Sequence, residues 1–265
     1  MKFDTLNQNA KIFTEIKTQP KWWKLFCDDK ELYIDIRKDN YINVYYYGGS
    51  LAKIEYKKEF VASINKKYSV NKKDVLDLNT LTEEGIAEIK TNIKKEYSEK
   101  NKKVENPSEK KIQGKIILEN RDKYIDSEFA FNKDKEIPNL RIDLVELHNN
   151  VLSFVELKGI TDNRLVNDED RSVDFPEIIG QMKKYQKFTN KYENEIIEYY
   201  QKLIQLKNDL GLKNHNANFT LNKIPKLLIV NTYQKTTRRR EERINSLKKL
   251  LQAKEIDFYI VKYQN

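Results

Sequence analysis

Charged residues interrupt the most apolar part of the second half of this 265-residue chain. Asp143, Glu156 and Lys158 lie between Arg141 and Gly159, in two runs rich in valine, leucine, isoleucine and phenylalanine. Charged groups are costly to bury without partners, so their place in strand-like runs favours a chemical role over a packing role. Two carboxylates and an ammonium group are suited to metal binding and to phosphate chemistry.

Asn149 and Asn150 separate the two runs and form a suitable two-residue turn, since asparagine tolerates the positive φ of a type I′ hairpin. With that turn, antiparallel pairing places Asp143 directly opposite Glu156, with their Cβ atoms about 5 Å apart. The two-residue period of a strand puts Lys158 on the same face. The sequence therefore predicts that three charged groups converge on one face of a hairpin.

Two carboxylates at that separation repel each other unless a cation lies between them. Oxygen ligands suit Mg²⁺, for which Mn²⁺ can substitute, and such an ion can activate a water molecule beside a phosphate. Asp143 and Glu156 are the predicted metal ligands, and Lys158 would orient or deprotonate the water or neutralise charge in the transition state. The alternative is a structural salt-bridge cluster, in which Lys158 only compensates the two acids.

A third carboxylate is predicted from the strand before the hairpin. The segment Asn132–Asn139 joins two antiparallel strands, and a symmetric closure of that loop places Glu128 opposite Asp143. Glu128 is therefore the predicted additional metal ligand, although a long loop specifies register less tightly than a two-residue turn.

The hairpin lies within an alternation of helix and strand patterns that fills the second half of the chain. Asn106, Pro107 and Glu109 form a capping pattern that predicts a helix start, and Asp174 and Glu177 form another. Helical spacing of apolar residues and short apolar runs predict the other elements. The predicted helices are 107–120, 175–190, 192–210 and 238–253, and the predicted strands are 124–131, 140–147, 151–158, 227–230 and 257–261.

The pattern before residue 104 is different. Three strand-like runs follow a helical lead-in, and the spacing of isoleucines predicts a helix from Thr82. The polar stretch 98–107 is the predicted linker, so we expect an N-terminal β-rich unit, residues 1–103, and a second domain, residues 104–265. The strand-like runs are 32–37, 41–47 and 51–56, and the aromatic residues that would either stack on bases or fill the core are Trp22, Trp23, Tyr41, Tyr45 and Tyr47.

Asp143, followed thirteen residues later by Glu156-Leu157-Lys158 on a hairpin, resembles the active-site motif of the PD-(D/E)XK nuclease superfamily. Ile142 stands where the proline that gives the motif its name would be. The predicted order of elements also resembles the restriction-endonuclease-like fold, from residue 107 to the C-terminus. The resemblance implies a mixed α/β protein with an αβββαβ core, in which helices flank a central mixed sheet.

Gln181 and Tyr185 lie four residues apart on the helix after the hairpin, a spacing that resembles the Gln-x-x-x-Tyr motif of RecB-type nucleases. Residues at that spacing share a helix face, so both are expected to reach the site; the alternative is a solvated glutamine and a half-buried tyrosine. The superfamily commonly adds an acidic residue from the first helix, where Glu109 and Glu119 are available. Because Glu109 is also explained as a capping residue, Glu128 is the preferred choice.

The composition limits the classes of partner. Fifty Lys and Arg residues against 41 Asp and Glu give a net charge of +9, which favours polyanions such as DNA, although a biased residue usage would produce the same excess. The single cysteine, Cys27, excludes an internal disulfide. No apolar run approaches the roughly 18 residues of a membrane-spanning helix and no secretory signal is recognisable, so we expect a cytoplasmic protein without a membrane partner.

The resemblance implies a Mg²⁺-dependent deoxyribonuclease, endonuclease or exonuclease, with a role in restriction or antiviral defence in a prokaryote. The N-terminal unit would position DNA or a protein partner, and a homodimer is compatible with such a role. The basic segment 235–240 at a predicted helix start would grip a DNA backbone or simply be solvated. The alternatives are a non-catalytic nucleic-acid-binding or assembly protein that keeps the fold, and a nuclease that acts in repair or on RNA.

Overall fold

The computed structural model of the chain describes residues 6–100, 107–132, 134–165 and 177–263. Within these ranges the protein is a mixed α/β structure with seven α-helices and two β-sheets. The helices are α1 (Lys11–Ile16), α2 (Lys21–Asp28), α3 (Glu83–Lys100), α4 (Glu109–Glu119), α5 (Glu177–Lys191), α6 (Glu193–Asp209) and α7 (Arg238–Ala253). The strands are β1 (Leu32–Arg37), β2 (Tyr41–Tyr46), β3 (Gly49–Tyr56), β4 (Phe60–Ser63), β5 (Val75–Leu76), β6 (Tyr124–Phe131), β7 (Leu140–His148), β8 (Val151–Gly159), β9 (Thr220–Leu221), β10 (Lys226–Asn231) and β11 (Asp257–Lys262).

The N-terminal sheet is an antiparallel meander in the order β1-β2-β3-β4-β5. Its first three strands correspond to the three predicted strand-like runs. Strands β4 and β5 are absent from the sequence-based prediction, because runs of four and two residues are too short to show an alternation of apolar and polar positions. The predicted β-rich character of this unit is confirmed.

The second sheet contains six strands in the order β11-β10-β8-β7-β6, with the short strand β9 also paired to β8. Strands β6, β7 and β8 are antiparallel neighbours, whereas β8, β10 and β11 run parallel. Helices α5 and α6 connect β8 to this parallel part, and α7 connects β10 to β11, as parallel neighbours require. Apart from β9 and a short 3-10 turn, the order of elements after residue 107 is the predicted α-β-β-β-α-α-β-α-β.

Helix α4 begins differently from the predicted capping pattern. Ser108 is its N-cap, and the Ser108 hydroxyl oxygen accepts a hydrogen bond from the backbone N–H of Lys111. Glu109 is thus the first helical residue, whereas a capping box requires its glutamate at the third, so the explanation of Glu109 as a capping residue is wrong. The predicted caps Asn106 and Asp174, and most of the predicted linker, lie outside the described residues.

The predicted register of the β7–β8 hairpin is confirmed. His148 pairs with Val151 and the ladder continues in the same register to Leu144 and Val155. Asn149 and Asn150 adopt φ angles of 51° and 58°, the left-handed conformation that a type I′ turn requires at both central positions. The next position toward the start of β7 and the end of β8 is that of Asp143 and Glu156, so the turn determines where these acids meet.

One hydrophobic cluster joins the two predicted domains. Ile36 and Val44 of the N-terminal sheet belong to the same cluster as Phe129 of β6 and Tyr200 of α6. The predicted boundary between residues 103 and 104 therefore separates the two sheets, which share one hydrophobic core. None of the described helices is long and apolar enough to cross a membrane.

A buried ionic network crosses the same boundary. The carboxylate of Asp35 accepts hydrogen bonds from Lys207 at 3.0 Å and from Arg37 at 3.2 Å, and Arg37 also donates to Asp126 at 3.1 Å. Burial opposes ionisation of Asp35, but Lys207 and then Arg37 outweigh it and hold the pKa of Asp35 below its usual value. Since removing one partner of such a network leaves a buried charge uncompensated, the network locks the two sheets in one arrangement.

The aromatic residues of the N-terminal unit mainly pack within the protein. Trp22 and Trp23 of α2 are buried, and the Trp22 ring contacts Phe60 edge to face at 4.9 Å. The rings of Tyr33 and Tyr45 stack on each other at 4.9 Å. The tryptophans therefore fill the core, and the alternative prediction that they stack on bases is wrong.

Helix α4 approaches the N-terminal sheet closely through two glycines. A Cβ atom on Gly114 would lie 2.7 Å from the backbone nitrogen of Gly48, and one on Gly48 would lie 2.1 Å from the carbonyl oxygen of Lys110. Gly48 also has a φ of 82°, a conformation that glycine adopts without steric cost. These contacts fix the position of α4, whose first residue, Glu109, extends toward the end of the β7–β8 hairpin.

The substitution Gly114→Ala is expected to destabilise the protein by about 1–3 kcal/mol, because the new methyl group meets rigid backbone rather than a flexible side chain. Gly180→Ala is the matched control, since Gly180 is also helical and nothing lies within 4 Å of its added Cβ. That control should stabilise by roughly 0.5–1 kcal/mol through helix propensity. Urea denaturation of both variants measures the difference, and equal stability would contradict the close approach.

Candidate active site

The candidate site is centred on the ammonium group of Lys158, a residue of β8 that is only 1% exposed. Its Nζ donates a short hydrogen bond to Oε1 of Glu156 and another, of 2.6 Å, to the carbonyl oxygen of Leu157. Two further carboxylate oxygens approach it, from Asp143 at 3.6 Å and from Glu109 at 3.7 Å. The structure thus brings together three acids from β7, β8 and α4 around one buried cation.

Asp143 reaches this cluster where the regular ladder of β7 and β8 ends. Its Oδ2 accepts a hydrogen bond of 2.9 Å from the backbone N–H of Leu157. The backbone carbonyl of Asp143 accepts one of 2.6 Å from Gln113 of α4. A carboxylate therefore satisfies the N–H group between Glu156 and Lys158, and this holds Asp143 beside both charged residues.

Glu156 is held by the two residues of the Gln-x-x-x-Tyr motif. Its Oε1 accepts a hydrogen bond of 2.6 Å from Gln181, and its Oε2 accepts one of 2.6 Å from the Tyr185 hydroxyl. Gln181 also donates to the Tyr185 oxygen at 2.9 Å. The prediction that both residues reach the site from one helix face is confirmed; their contact with Glu156 indicates that they position this carboxylate.

The environment of Glu156 disfavours its charge. Burial, and then repulsion by Asp143, raises the pKa of Glu156 to about 7, although Lys158 and the hydrogen bonds that it accepts favour the ionised form. For Lys158, burial alone would lower the pKa, but the neighbouring carboxylates, Glu156 first, outweigh it and raise the pKa above the usual value. Lys158 is therefore a protonated group, suited to donating hydrogen bonds and neutralising charge rather than to accepting a proton.

Glu109 is the acidic residue that joins the cluster from the first helix. Besides Lys158, its carboxylate contacts Arg164 at 3.1 Å. Burial, and then a hydrogen bond with Asp162, raises the pKa of Glu109 to about 7. Arg164 also pairs with Asp162 at 2.6 Å. Asp162 and Arg164 thus both contact Glu109, which in turn contacts Lys158.

None of the described contacts joins Glu128 to this cluster. Its predicted position opposite Asp143 is nevertheless confirmed. Ser127 pairs with Leu144 and Phe129 with Ile142, which puts Glu128 opposite Asp143 in the β6–β7 ladder. However, Glu128 has a φ of 54°, and its carboxylate forms an ion pair with Arg141. The irregular backbone redirects the side chain, so the contacts favour Glu109 over Glu128 as the additional acid.

The donor set fits a hard divalent cation in its chemistry. The groups that face Lys158 present oxygen atoms only: the carboxylates of Asp143, Glu156 and Glu109 and the carbonyl of Leu157. Among the residues that the structure describes, no group of three or more acidic, histidine or cysteine side chains is arranged as a ready-made metal site. A metal ion would therefore share these oxygens with Lys158 and require Lys158 to withdraw from some of them.

Asp162, Arg164 and Gln113 are site residues that the sequence analysis does not identify. Asp162 and Arg164 follow the end of β8 at Gly159, and polar residues just after a strand that carries active-site groups are a usable signal. Gln113 gives no such signal, because a single glutamine in an amphipathic helix is normally solvated. Only the docking of α4 on β8 buries it against Asp143.

The basic segment at the start of α7 is partly neutralised. Arg238 pairs with Glu242 at 2.9 Å, and Arg240 donates to the carbonyl of Lys235 at 2.7 Å while it lies over the ring of Tyr233. Thr237 caps the helix by accepting a hydrogen bond from the backbone of Arg240. These contacts explain the segment as a capped helix start, and contact with DNA stays a prediction.

Comparison with protein-family models, with curated proteins and with solved structures finds no match for this chain. The resemblance to PD-(D/E)XK nucleases therefore depends on the residues themselves and on the order of the elements that carry them. The chemistry of the cluster around Lys158 is the basis on which a function can be inferred.

Lys158→Met is expected to destabilise the protein by about 3–5 kcal/mol, because it leaves buried carboxylates without their cation. The double variant Glu156→Gln with Lys158→Met should recover at least about 1 kcal/mol, since one of those charges is then removed. Lys223→Met is the control on an exposed ion pair and should cost about 1 kcal/mol or less, because its partner Glu193 stays accessible to water. Thermal and urea unfolding measure all three, and a Lys158→Met variant as stable as the control would argue against the buried cluster.

Proposed function

We propose that this protein is a metal-dependent nuclease that hydrolyses DNA phosphodiester bonds. The observation that carries the proposal is the convergence of Asp143, Glu156 and Glu109 on Lys158 at the end of the β7–β8 hairpin. The observed order of elements around that hairpin is the one expected for a restriction-endonuclease-like core, and we propose that core as the fold. A structural salt bridge alone would not need three acids for one lysine.

The proposed metal is Mg²⁺, with Mn²⁺ as a substitute, held by Asp143, Glu156 and Glu109 with the Leu157 carbonyl. When bound, such an ion supplies a Lewis acid that polarises the phosphate and lowers the pKa of a water molecule. Glu109 takes the place of Glu128 in this assignment, because Glu109 contacts Lys158 whereas Glu128 pairs with Arg141. The oxygen-only donor set supports the choice of a hard ion.

In the proposed reaction the oxygen of water attacks phosphorus and the bond between phosphorus and one sugar oxygen breaks. The products are a phosphate monoester end and a hydroxyl end, with one water proton released to solvent and the other bound by the leaving oxygen. Protonated Lys158 neutralises charge that develops on the phosphate oxygens. Gln181 and Tyr185 position Glu156 through the hydrogen bonds that they donate to it.

The net charge of +9 supports a nucleic acid as substrate, and the proposed biological role is restriction or antiviral defence. A nuclease that acts on RNA or in repair is the nearest variant of the proposal. We further propose that the N-terminal unit contributes to the binding of the nucleic acid or of a protein partner, and a homodimer is compatible with the proposal. The rival is a non-catalytic nucleic-acid-binding or assembly protein, which is favoured by one observation: Lys158 already neutralises the acids.

Cleavage assays on linear and circular DNA, with Mg²⁺, Mn²⁺ or EDTA, test the proposal. We expect cleavage with either metal and none with EDTA, and we expect Asp143→Ala and Lys158→Ala to lower the rate at least about a hundredfold. Asp257→Ala and Lys248→Ala are the matched controls, because both residues are exposed and lie outside the cluster. Circular dichroism confirms folding of each variant.

Cleavage that persists in EDTA or in both site variants would refute the metal mechanism. Cutting of the circular substrate would identify an endonuclease, whereas loss of the linear substrate alone would indicate an exonuclease. Absence of cleavage of DNA and RNA by the folded wild-type protein would support the rival function.

Glu109→Gln is expected to lower the cleavage rate at least about tenfold, because it removes one carboxylate charge next to Lys158. Glu119→Gln is a control from the same helix, since Glu119 is exposed at the other end of α4 and pairs only weakly with Lys115 at 3.6 Å. Rates of metal-dependent DNA cleavage distinguish the two. Equal rates for the two variants would exclude Glu109 from the site.

A further inference from the structure

A polar cavity of about 430 Å³ lies between the N-terminal sheet and helix α4, next to the candidate site. Its volume falls in the range of roughly 300–1,000 Å³ that is typical of small-ligand sites. The wall combines cationic, tyrosine and small polar side chains. The residues that line it include Lys53, Lys110, Arg141, Tyr68, Tyr97 and Gln113.

The cavity carries an excess of positive charge. Three cations, Lys53, Lys110 and Arg141, line it, against the single carboxylate of Glu128. Lys53 is paired with Glu55 at 3.0 Å and Arg141 with Glu128, whereas none of the described carboxylates forms an ion pair with Lys110. An anionic group in this cavity would therefore meet Lys110, which has no carboxylate partner among the described residues, and Arg141, whose side chain is largely exposed.

Lys110 and Arg141 are both cationic and line the same cavity. Two cations that repel each other are stabilised by an anion between them. The backbone also contributes, because Glu128 keeps a left-handed conformation at the position where its carboxylate meets Arg141, and such conformations in non-glycine residues concentrate at functional sites.

The cavity adjoins the candidate active site through α4 and β7. Gln113 lines the cavity and donates its side-chain hydrogen bond to the backbone of Asp143. Lys110 follows Glu109 directly in the helix, and the backbone carbonyl of Arg141 contacts the Tyr185 hydroxyl. A phosphate at Lys110 and Arg141 would thus lie beside the cluster around Lys158, because Arg141 and Asp143 are two residues apart on β7.

The size and walls of the cavity favour an unpaired nucleotide. Its volume suits one nucleotide, whereas a duplex about 20 Å across cannot enter a space of that size. Tyr68 and Tyr97 offer aromatic surface for a base or sugar, as single-strand-binding sites commonly do. A double helix would have to expose an end or a flipped base to use the cavity.

We propose that this cavity binds one unpaired nucleotide of the substrate strand, with its phosphate at Lys110 and Arg141 and its base or sugar against Tyr68 and Tyr97. The proposal rests on the proposed nuclease function for its purpose, since the cavity would hold the nucleotide that flanks the scissile phosphate. It assigns the N-terminal sheet a share in the binding of single-stranded nucleic acid.

Binding can be measured apart from cleavage by fluorescence anisotropy in EDTA. The probes are end-labelled oligodeoxyuridylate and oligouridylate of about 12 nucleotides, which differ only in the sugar, and a blunt duplex of the same length. We expect the wild type to bind a single strand more tightly than the duplex, and Lys110→Glu to weaken that binding roughly tenfold. Lys248→Glu is the control with the same charge change on exposed surface of α7.

The salt dependence provides a readout that a structural defect would not mimic. Lys110→Ala should lower the slope of log affinity against log salt by about 0.7, the value for one lost phosphate contact on a single strand. Equal affinity for DNA and RNA strands supports phosphate and base contacts alone, and a preference for one identifies the substrate sugar. Lys110 is exposed in the first turn of α4, so its variants should keep the wild-type melting temperature.

The inference is overturned if the Lys110 variants bind the single strands as the wild type does, or if the wild type prefers the duplex or binds no probe. These outcomes are independent of catalysis. Metal-dependent cleavage with unchanged binding by Lys110→Glu would refute the cavity alone. Absence of cleavage with Lys110-dependent binding would refute the nuclease function and keep the cavity.

Discussion

The buried ammonium group of Lys158 is the constraint on which the candidate site depends. Among the described residues, this ammonium group is a cation that acids from α4, β7 and β8 share, and without it their charges would oppose the packing of those elements. Glu156 stays in place because Gln181 and Tyr185 of α5 also bind it. The cluster therefore links four elements of the second sheet and its helices. The same arrangement that stabilises the fold concentrates oxygen ligands at one point.

A second buried network plays the corresponding role between the two sheets. Lys207 of α6 and Arg37 of β1 converge on Asp35, and Arg37 extends to Asp126 of β6. This network and the contact of α4 with the β2–β3 turn hold the N-terminal sheet against the second sheet and its helices. The N-terminal unit thus forms one wall of the cavity beside the site. Its proposed part in binding follows from that position more than from its aromatic content, since the tryptophans belong to the core.

The protonated state of Lys158 limits the chemistry that can be proposed. A lysine among three carboxylates keeps its proton, so it is a source of positive charge and hydrogen bonds. In the proposed nuclease, a divalent ion would compete with this ammonium group for the carboxylate oxygens of the cluster. The rival, a binding protein without catalysis, would keep the ammonium group where it is. The two functions differ in which cation the acids hold.

Local sequence patterns are enough to define the β7–β8 hairpin and the charged residues that it carries. The Asn149-Asn150 turn sets the register by local geometry, and the strand period then brings Asp143, Glu156 and Lys158 together. The helical spacing of Gln181 and Tyr185 is likewise a local property. The choice of the further acid that joins them depends on tertiary packing, because the position of Glu109 follows from how α4 docks and that of the Glu128 side chain from a backbone irregularity within β6. The cavity is also a tertiary feature, since its walls come from segments far apart in the chain, and no local pattern encodes the distance between them.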